Sequence, residues 1–414
     1  MLRRRHGFPV MKSIRWLAAL GLLLLAATPA AAQFSTITTP TGSIVAGPYV
    51  IIDAATGETL LQNNAGAAWY PASLTKLMTI YLTFEQLKAG RLTLASRVVF
   101  SAHAAGMPES KLGVGVGGSI TVDQALQALV VHSANDVATA LAEAIGGSEP
   151  AFGQLMTQTA QRLGMTATQF TNANGLPDPG NVTSARDLTL LALALMRDFP
   201  QYYGYFLAHD FVFGKRRFVS YVHFVEMYAP YADGLKTGFI CNSGFNVVGS
   251  AVRDGRRLIG VAFGFRRADL RDEFLVRLFD EAYALKTGGN RPKVWQIRNE
   301  GGEPARVFGP GECGVPSYDM PGDAAWLGNY ASWAAARHAF DVGQADLTTL
   351  GVTRLGKEWI LPITANKVTH QAAIIADLEP DAAQKLCAAY KAKKAFCEVH
   401  KATEITPPFN VFRR

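Results

Sequence analysis

Three short groups of residues in this sequence can do chemistry together: Ser73-Leu74-Thr75-Lys76, Ser133-Ala134-Asn135 and Lys236-Thr237-Gly238. A serine hydroxyl is a poor nucleophile until an adjacent base takes its proton, and a lysine amine can be that base once its surroundings lower its pKa. On a helix, residues three apart share a face, so Lys76 can lie against Ser73. Ser133 and Asn135 offer a proton relay and a contact for a substrate amide, and Lys236 and Thr237 offer a cation and a hydroxyl. Each group alone has an ordinary reading: Ser73 as a helix cap, Lys76 as a solvated helix lysine, Ser133 and Asn135 as a capping pair. Their occurrence together, in this order, favours a catalytic reading with Ser73 as nucleophile.

Lys286-Thr287-Gly288 repeats the third group and serves as a control. It follows a helical run, where Gly288 suits a helix C-cap, whereas Lys236 leads into a β-rich segment that could line a cleft. Lys236, Thr237 and Gly238 are therefore assigned to the site, and Lys286 to structure.

The elements that must position these residues are legible in outline. Tyr49–Ala54 and Thr59–Leu61 flank a Thr-Gly turn and read as a hairpin. Leu74, Leu77, Met78, Tyr81 and Leu82 recur at helical spacing from Ser73 to Leu87, and helical patterns return at 122–146, 151–163 and 184–198. Phe239–Ile240, Phe245–Val252 and Arg257–Phe263 read as consecutive antiparallel strands, and Leu270–Leu285 as a closing helix. After a Gly- and Pro-rich stretch, residues 323–402 follow a β-α-β-β-α-β order. The fold class is thus α+β in two units.

Residues 1–32 read as an export signal, with Arg3, Arg4, Arg5, Lys12 and Arg15 ahead of an apolar run ending in Ala30-Ala31-Ala32; a start at Met11 would also supply a basic lead. Removing those five cations takes the formal net charge from +7 to +2, so the basic balance is mainly a feature of export. No basic stripe or reading motif for nucleic acid is present, and the scattered histidines and four cysteines fit no metal or cofactor framework, so none is expected. The expected units are a catalytic domain at 33–290, a linker at 291–322, a C-terminal domain at 323–402 and a tail at 403–414.

Over residues 45–286 the chain resembles the penicillin-binding proteins and serine β-lactamases, most closely the low-molecular-weight D-alanyl-D-alanine carboxypeptidases. The resemblance extends beyond the three groups to Tyr70-Pro71-Ala72, Leu163-Gly164-Met165-Thr166, Phe170-Thr171-Asn172-Ala173-Asn174-Gly175-Leu176, Ser184-Ala185-Arg186-Asp187-Leu188 and Asp233-Gly234-Leu235. It implies a β-lactamase/transpeptidase-like domain in which Ser73 is acylated, Lys76 is its base and Ser133 a proton shuttle. Asn135 would hold the side of the substrate, Lys236 would supply positive potential, and Thr237 would bind the substrate carboxylate. The N–H groups of Ser73 and Phe239 would form the oxyanion hole beside Gly238, and Arg271 would stand near the carboxylate. Many relatives have histidine where this chain has Phe239.

Residues 325–400 resemble a SPOR domain, through Gly328-Asn329-Tyr330-Ala331-Ser332-Trp333, Asp381-Ala382-Ala383-Gln384-Lys385-Leu386-Cys387 and Phe396-Cys397-Glu398-Val399. The two resemblances imply a periplasmic enzyme, enriched at the division septum, that trims peptidoglycan stem peptides. They also imply that it binds glycan strands through a ferredoxin-like C-terminal domain and that β-lactams inhibit it covalently.

Rival readings are a DD-endopeptidase on cross-links, a β-lactamase and an inactive wall-binding protein. A β-lactamase needs a deacylating glutamate, and Glu143, Glu149 and Glu226, the glutamates between the second group and Lys236, lie in no loop of that type. Cys387 and Cys397 are expected to pair in the oxidising compartment, joining the last helix to the last strand. Cys313 is expected either to stay free or to pair with Cys241, itself read as a small buried strand residue.

Overall fold

The computed structural model describes residues 34–39, 42–309, 312–313, 322–331, 333–352, 356–365 and 368–401. The expected signal segment and tail, at 1–32 and 403–414, lie outside the described residues. A hairpin of β1 (Ser35–Thr39) and β2 (Gly42–Ala46) precedes β3 (Tyr49–Asp53) and β4 (Thr59–Asn63). A largely helical block follows: α1 (Lys76–Lys88), β5 (Arg97–Val99), α2 (Ala102–Ala105), β6 (Ser119–Thr121), α3 (Val122–Gln127), α4 (Asn135–Gly146), α5 (Glu149–Arg162) and α6 (Ala185–Asp198). The hairpin β7 (Asp210–Phe213) and β8 (Arg216–Val219) and a single turn, α7 (Phe224–Met227), lead to β9 (Ala232–Ile240), β10 (Gly244–Arg253), β11 (Arg256–Phe265) and α8 (Ala268–Ala284).

Strands from both ends of this unit form one antiparallel sheet in the order β4-β3-β11-β10-β9. Its period of two sorts the side chains. Val50, Ile52, Val248, Ile259, Val261 and Phe263 pack toward the helical block, and Ile51, Val247, Leu258, Ala262 and Phe265 pack toward α8. β9 is an edge strand, so the backbone groups on its outer side have no strand partner among the described residues. Helix α1 is buried continuously from Lys76 to Phe84, which makes it the centre of the helical block rather than an amphipathic cover.

The helical pattern expected across 122–146 is interrupted. A π-turn at Ala128–His132 ends at Ser133, whose backbone is left-handed (φ 57°, ψ 34°), and α4 restarts at Asn135. Apolar periodicity runs through this break because the buried side chains continue on both sides of it. The expected linker also differs. Within 291–322, Val294 is fully buried, Asn299 bonds Ser184 and Asp187, and Val307 and Phe308 join the main core, so the stretch through 309 packs on the first unit. Isolated side chains make these contacts, with no periodicity to signal them.

The C-terminal elements are β12 (Asp323–Tyr330), α9 (Trp333–Thr349), β13 (Lys357–Ala365), β14 (Val368–Leu378), α10 (Pro380–Ala392) and β15 (Glu398–Lys401). They form an antiparallel sheet in the order β13-β14-β12-β15. Leu327, Phe340, Ile375, Leu386 and Tyr390 share a separate core.

Two disulfides are present, Cys387–Cys397 and Cys241–Cys313. Cys241 is therefore not a buried strand thiol: it is exposed in the turn after β9, where its sulfur reaches Cys313. Gly288 is not a helix cap either, because α8 ends at Ala284 with Leu285 as its cap and the Gly288 N–H donates to Glu58 at 2.9 Å.

Candidate active site

Ser73 lies in a 3₁₀ turn, Ala72–Thr75, that runs directly into α1, and it makes no helix-capping bond. Ala72 takes a left-handed backbone (φ 49°), a conformation that costs a non-glycine residue about 1–3 kcal/mol. Two close approaches enclose this turn. Gly175 has φ +83° and packs so tightly that a Cβ there would stand 1.8 Å from the Ala72 carbonyl oxygen. Gly238 on β9 presses from the other side.

Lys76 Nζ donates to Ser73 Oγ at 2.9 Å, to Asn135 Oδ1 at 2.7 Å and to the Asn174 carbonyl. These bonds occupy all three donors of an ammonium; a neutral amine would hold two of them and turn its lone pair to the Ser73 hydroxyl. The side chain is fully buried. Burial first, and then the Lys236 charge, holds its pKa well below the ordinary lysine range, against opposing fields from Asp136 and Glu149.

The second group is assembled by the break before α4. Asn135 reaches Lys76 with its carbonyl oxygen and donates its amide to the Pro108 carbonyl at 3.1 Å. The left-handed turn at Ser133 leaves its Oγ buried without a hydrogen-bond partner among the described residues. Asp136 accepts from the N–H groups of Leu112, Gly113 and Val137, which ties the loop before β6 to this corner.

Lys236, Thr237 and Gly238 sit within β9 itself, whose strand begins earlier than the apolar run Phe239–Ile240 suggests. Lys236 is 1% exposed, donates to the Thr237 carbonyl at 3.0 Å, and has its pKa lowered to about 7 by burial and by Arg271. Arg271 on α8 is buried, with Nε and Nη2 both bonded to Asp272 at 2.8 and 2.7 Å. The Phe239 ring is half-exposed, 4.2 Å from Phe245.

Sequence reasoning assigned no role to Asn174 or Glu149. Asn174 gives its carbonyl to Lys76 and its amide to Thr139 Oγ1 and Glu149 Oε1. Glu149 accepts at Oε1 from Thr139, the Ala173 N–H and Asn174, and at Oε2 from His103. Asn174 lies in the segment 170–176 already matched to the family pattern; Glu149 had no signal, because its contacts come from α4 and a loop distant in sequence.

A family model described as D-alanyl-D-alanine carboxypeptidase matches residues 34–266, which include every residue of the three groups but not Arg271. The chain is 34% identical over 276 residues to D-alanyl-D-alanine carboxypeptidase DacC of Escherichia coli (strain K12), a match covering 65% of this chain and 66% of that relative, just under two thirds of its length. Penicillin binding protein 5 from Haemophilus influenzae is similar in structure, with a TM-score of 0.57 and 32% identity over 60% of this chain and 73% of that one. Penicillin-Binding Protein D2 from Listeria monocytogenes, solved in a cefotaxime-bound form, is similar with a TM-score of 0.52 and 26% identity over 57% of this chain and 97% of that one. With a buried lysine on the serine and a lysine-bearing edge strand across from it, this chain belongs to the D-alanyl-D-alanine carboxypeptidase family.

Proposed function

We propose that the protein is a serine D-Ala-D-Ala carboxypeptidase that trims peptidoglycan stem peptides through an acyl-enzyme on Ser73 and is inhibited by β-lactams. The observation that carries this reading is the buried Lys76 amine 2.9 Å from Ser73 Oγ, with its pKa pushed down by burial and by Lys236.

In the proposed reaction neutral Lys76 takes the Ser73 proton as Oγ attacks the carbonyl carbon of the penultimate D-alanine. The N–H groups of Ser73 and Phe239 hold the oxyanion, and Lys236 and Thr237 hold the terminal carboxylate, with the Arg271 charge behind Lys236. The proton passes through Ser133 to the departing amine, the C–N bond breaks and D-alanine leaves. Water then attacks the ester and restores Ser73. A buried hydroxyl without a partner costs about 1–3 kcal/mol, which suits a Ser133 that bonds in the substrate complex.

Slow release of β-lactams follows from the state of Glu149, whose Oε1 already accepts three hydrogen bonds and which is only 8% exposed. It is poorly placed to activate a deacylating water. We further propose that residues 1–32 export the chain to the periplasm and that the C-terminal unit is a ferredoxin-like SPOR domain. That domain would bind glycan strands and enrich the enzyme at the septum; its β-α-β-β-α-β order and the strand order β13-β14-β12-β15 support this reading.

Penicillin labelling followed by mass spectrometry tests the assignment. The expected result is one adduct on Ser73 that disappears in Ser73→Ala while circular dichroism stays native-like. An adduct on the Ser73→Ala protein would overturn it.

A further inference from the structure

The proposed reaction uses the backbone of Phe239 and leaves its ring without a task. The ring is 39% exposed, whereas Thr237, two residues earlier, is 5% exposed. Strand periodicity puts both side chains on the same face of β9. The ring is also fixed from behind. Phe245, its cross-strand partner, lies 4.2 Å from it between ring centroids, and Phe308 meets it edge-on at 6.2 Å.

Phe308 comes from the stretch beyond α8 and is held at several points. Cys313 is bonded to Cys241 in the turn after β9, and the Val307 N–H donates to the Asn242 carbonyl at 3.0 Å. Arg266 donates to the Val307 carbonyl at 3.0 Å, and its guanidinium stands 5.2 Å over the Phe308 ring. An aromatic side chain held open beside a cleft presents a rigid apolar surface. It gains from contact with a methyl group and, because its face is the negative side of the ring quadrupole, desolvates a carboxylate without compensating it.

We infer that the Phe239 ring, backed by Phe245 and Phe308, is a specificity-determining wall that favours substrates whose leaving residue is small and apolar over those whose leaving residue carries an anionic side chain. Phe308 is a positioning residue for this wall, and the Cys241–Cys313 disulfide anchors it. The inference rests on the reading above, in which Thr237 takes the carboxylate of the leaving residue and so places that residue along this face of the strand. It also implies a preference for trimming free D-alanine ends over opening cross-links, where the leaving group carries further carboxylates.

The test uses the full exported chain and two acyl-peptides that differ only in the last residue, D-alanine or D-glutamate. kcat and KM are measured for each. Phe239→His and Phe308→Ala are expected to lower the D-alanine to D-glutamate ratio of kcat/KM by about tenfold, the lower end for loss of an apolar pocket contact, and to do so mainly through KM. Phe308→Tyr should restore the ratio, which a merely structural role would not require. Penicillin labelling of Ser73 is followed in parallel. Labelled protein with the same ratio in wild type, Phe239→His and Phe308→Ala overturns the inference. A wild-type protein that neither labels nor releases either residue overturns the assigned reaction instead. Should Phe308→Ala fail to fold, Phe239→His and the Cys241→Ser/Cys313→Ser pair decide the question by the same ratio.

Discussion

Gly238 approaches Ser73 so closely that a Cβ on the glycine would stand 3.0 Å from the Ser73 backbone nitrogen and 3.0 Å from that of Leu74. The edge strand and the nucleophile turn are therefore in close backbone contact, and the N–H groups proposed for the oxyanion hole come from two elements remote in sequence. Gly238→Ala should push β9 away from the turn, separating the Ser73 and Phe239 N–H groups. Losing one such donor lowers acyl-transfer rates by about a hundred- to a thousandfold. Penicillin acylation should fall into that range, and the thermal midpoint should fall too, because the inserted methyl meets the backbone of Pro71, Ser73 and Leu74.

A second expectation concerns the Lys76 proton. Burial and Lys236 hold its pKa below the unfolded lysine value, so the unfolded chain binds more protons between those two values. This group's contribution to stability therefore rises with pH across that window, and the cost of the buried cation is fully present below the folded pKa. Acylation should rise with pH through the same folded pKa, since only the neutral amine can take the Ser73 proton. Lys76→Arg keeps the charge and cannot release it. Its acylation rate should drop by about a hundred- to ten-thousandfold, the usual range for a lost general base, and a variant that acylates normally would show another group to be the base.

Lys236 gives the opposite limb. Its charged form is the useful one, and burial together with Arg271 lowers its pKa to about 7, so the positive potential fades as pH rises through that value. The pH profile of kcat/KM should accordingly be a bell whose alkaline side lies near neutrality, with both apparent values belonging to the coupled lysine pair. Arg271→Leu alone would strand the buried Asp272 carboxylate. The paired change Arg271→Leu/Asp272→Leu avoids that orphan charge and should move the alkaline limb to higher pH. An unmoved limb would assign it to a different group.

What the sequence discloses and what it hides have physical causes here. Ser73 and Lys76 are legible because a three-residue spacing on one helical run brings their side chains together, and Asn135 and Lys236 because their groups recur with it in a fixed order. The strands β10 and β11 are legible because apolar runs end in Asn-Ser-Gly and Asp-Gly turns. The left-handed Ser133 is not, since apolar periodicity continues across it. The hairpin β7–β8 was not anticipated, because its four-residue strands mix apolar and charged residues without a long pattern. Glu149 stays hidden for another reason: a carboxylate saturated by Thr139, Ala173, Asn174 and His103 is defined by tertiary contacts alone.

The remaining prediction separates the two cores. Cys387 on α10 is buried against the C-terminal core and bonded to Cys397, which precedes β15, across ten residues of sequence. Closing a loop of that size restricts the unfolded chain by about 3 kcal/mol. The Cys387→Ser/Cys397→Ser protein should therefore lose roughly that much stability in its C-terminal unit alone. Denaturant unfolding followed by hydrogen exchange would report it as earlier opening of β12, β14 and α10. Penicillin labelling of Ser73 should be unaffected, because the catalytic residues belong to other cores and the second bridge, Cys241–Cys313, remains. Loss of labelling in step with loss of the C-terminal bridge would instead reveal that the two units fold as one cooperative body.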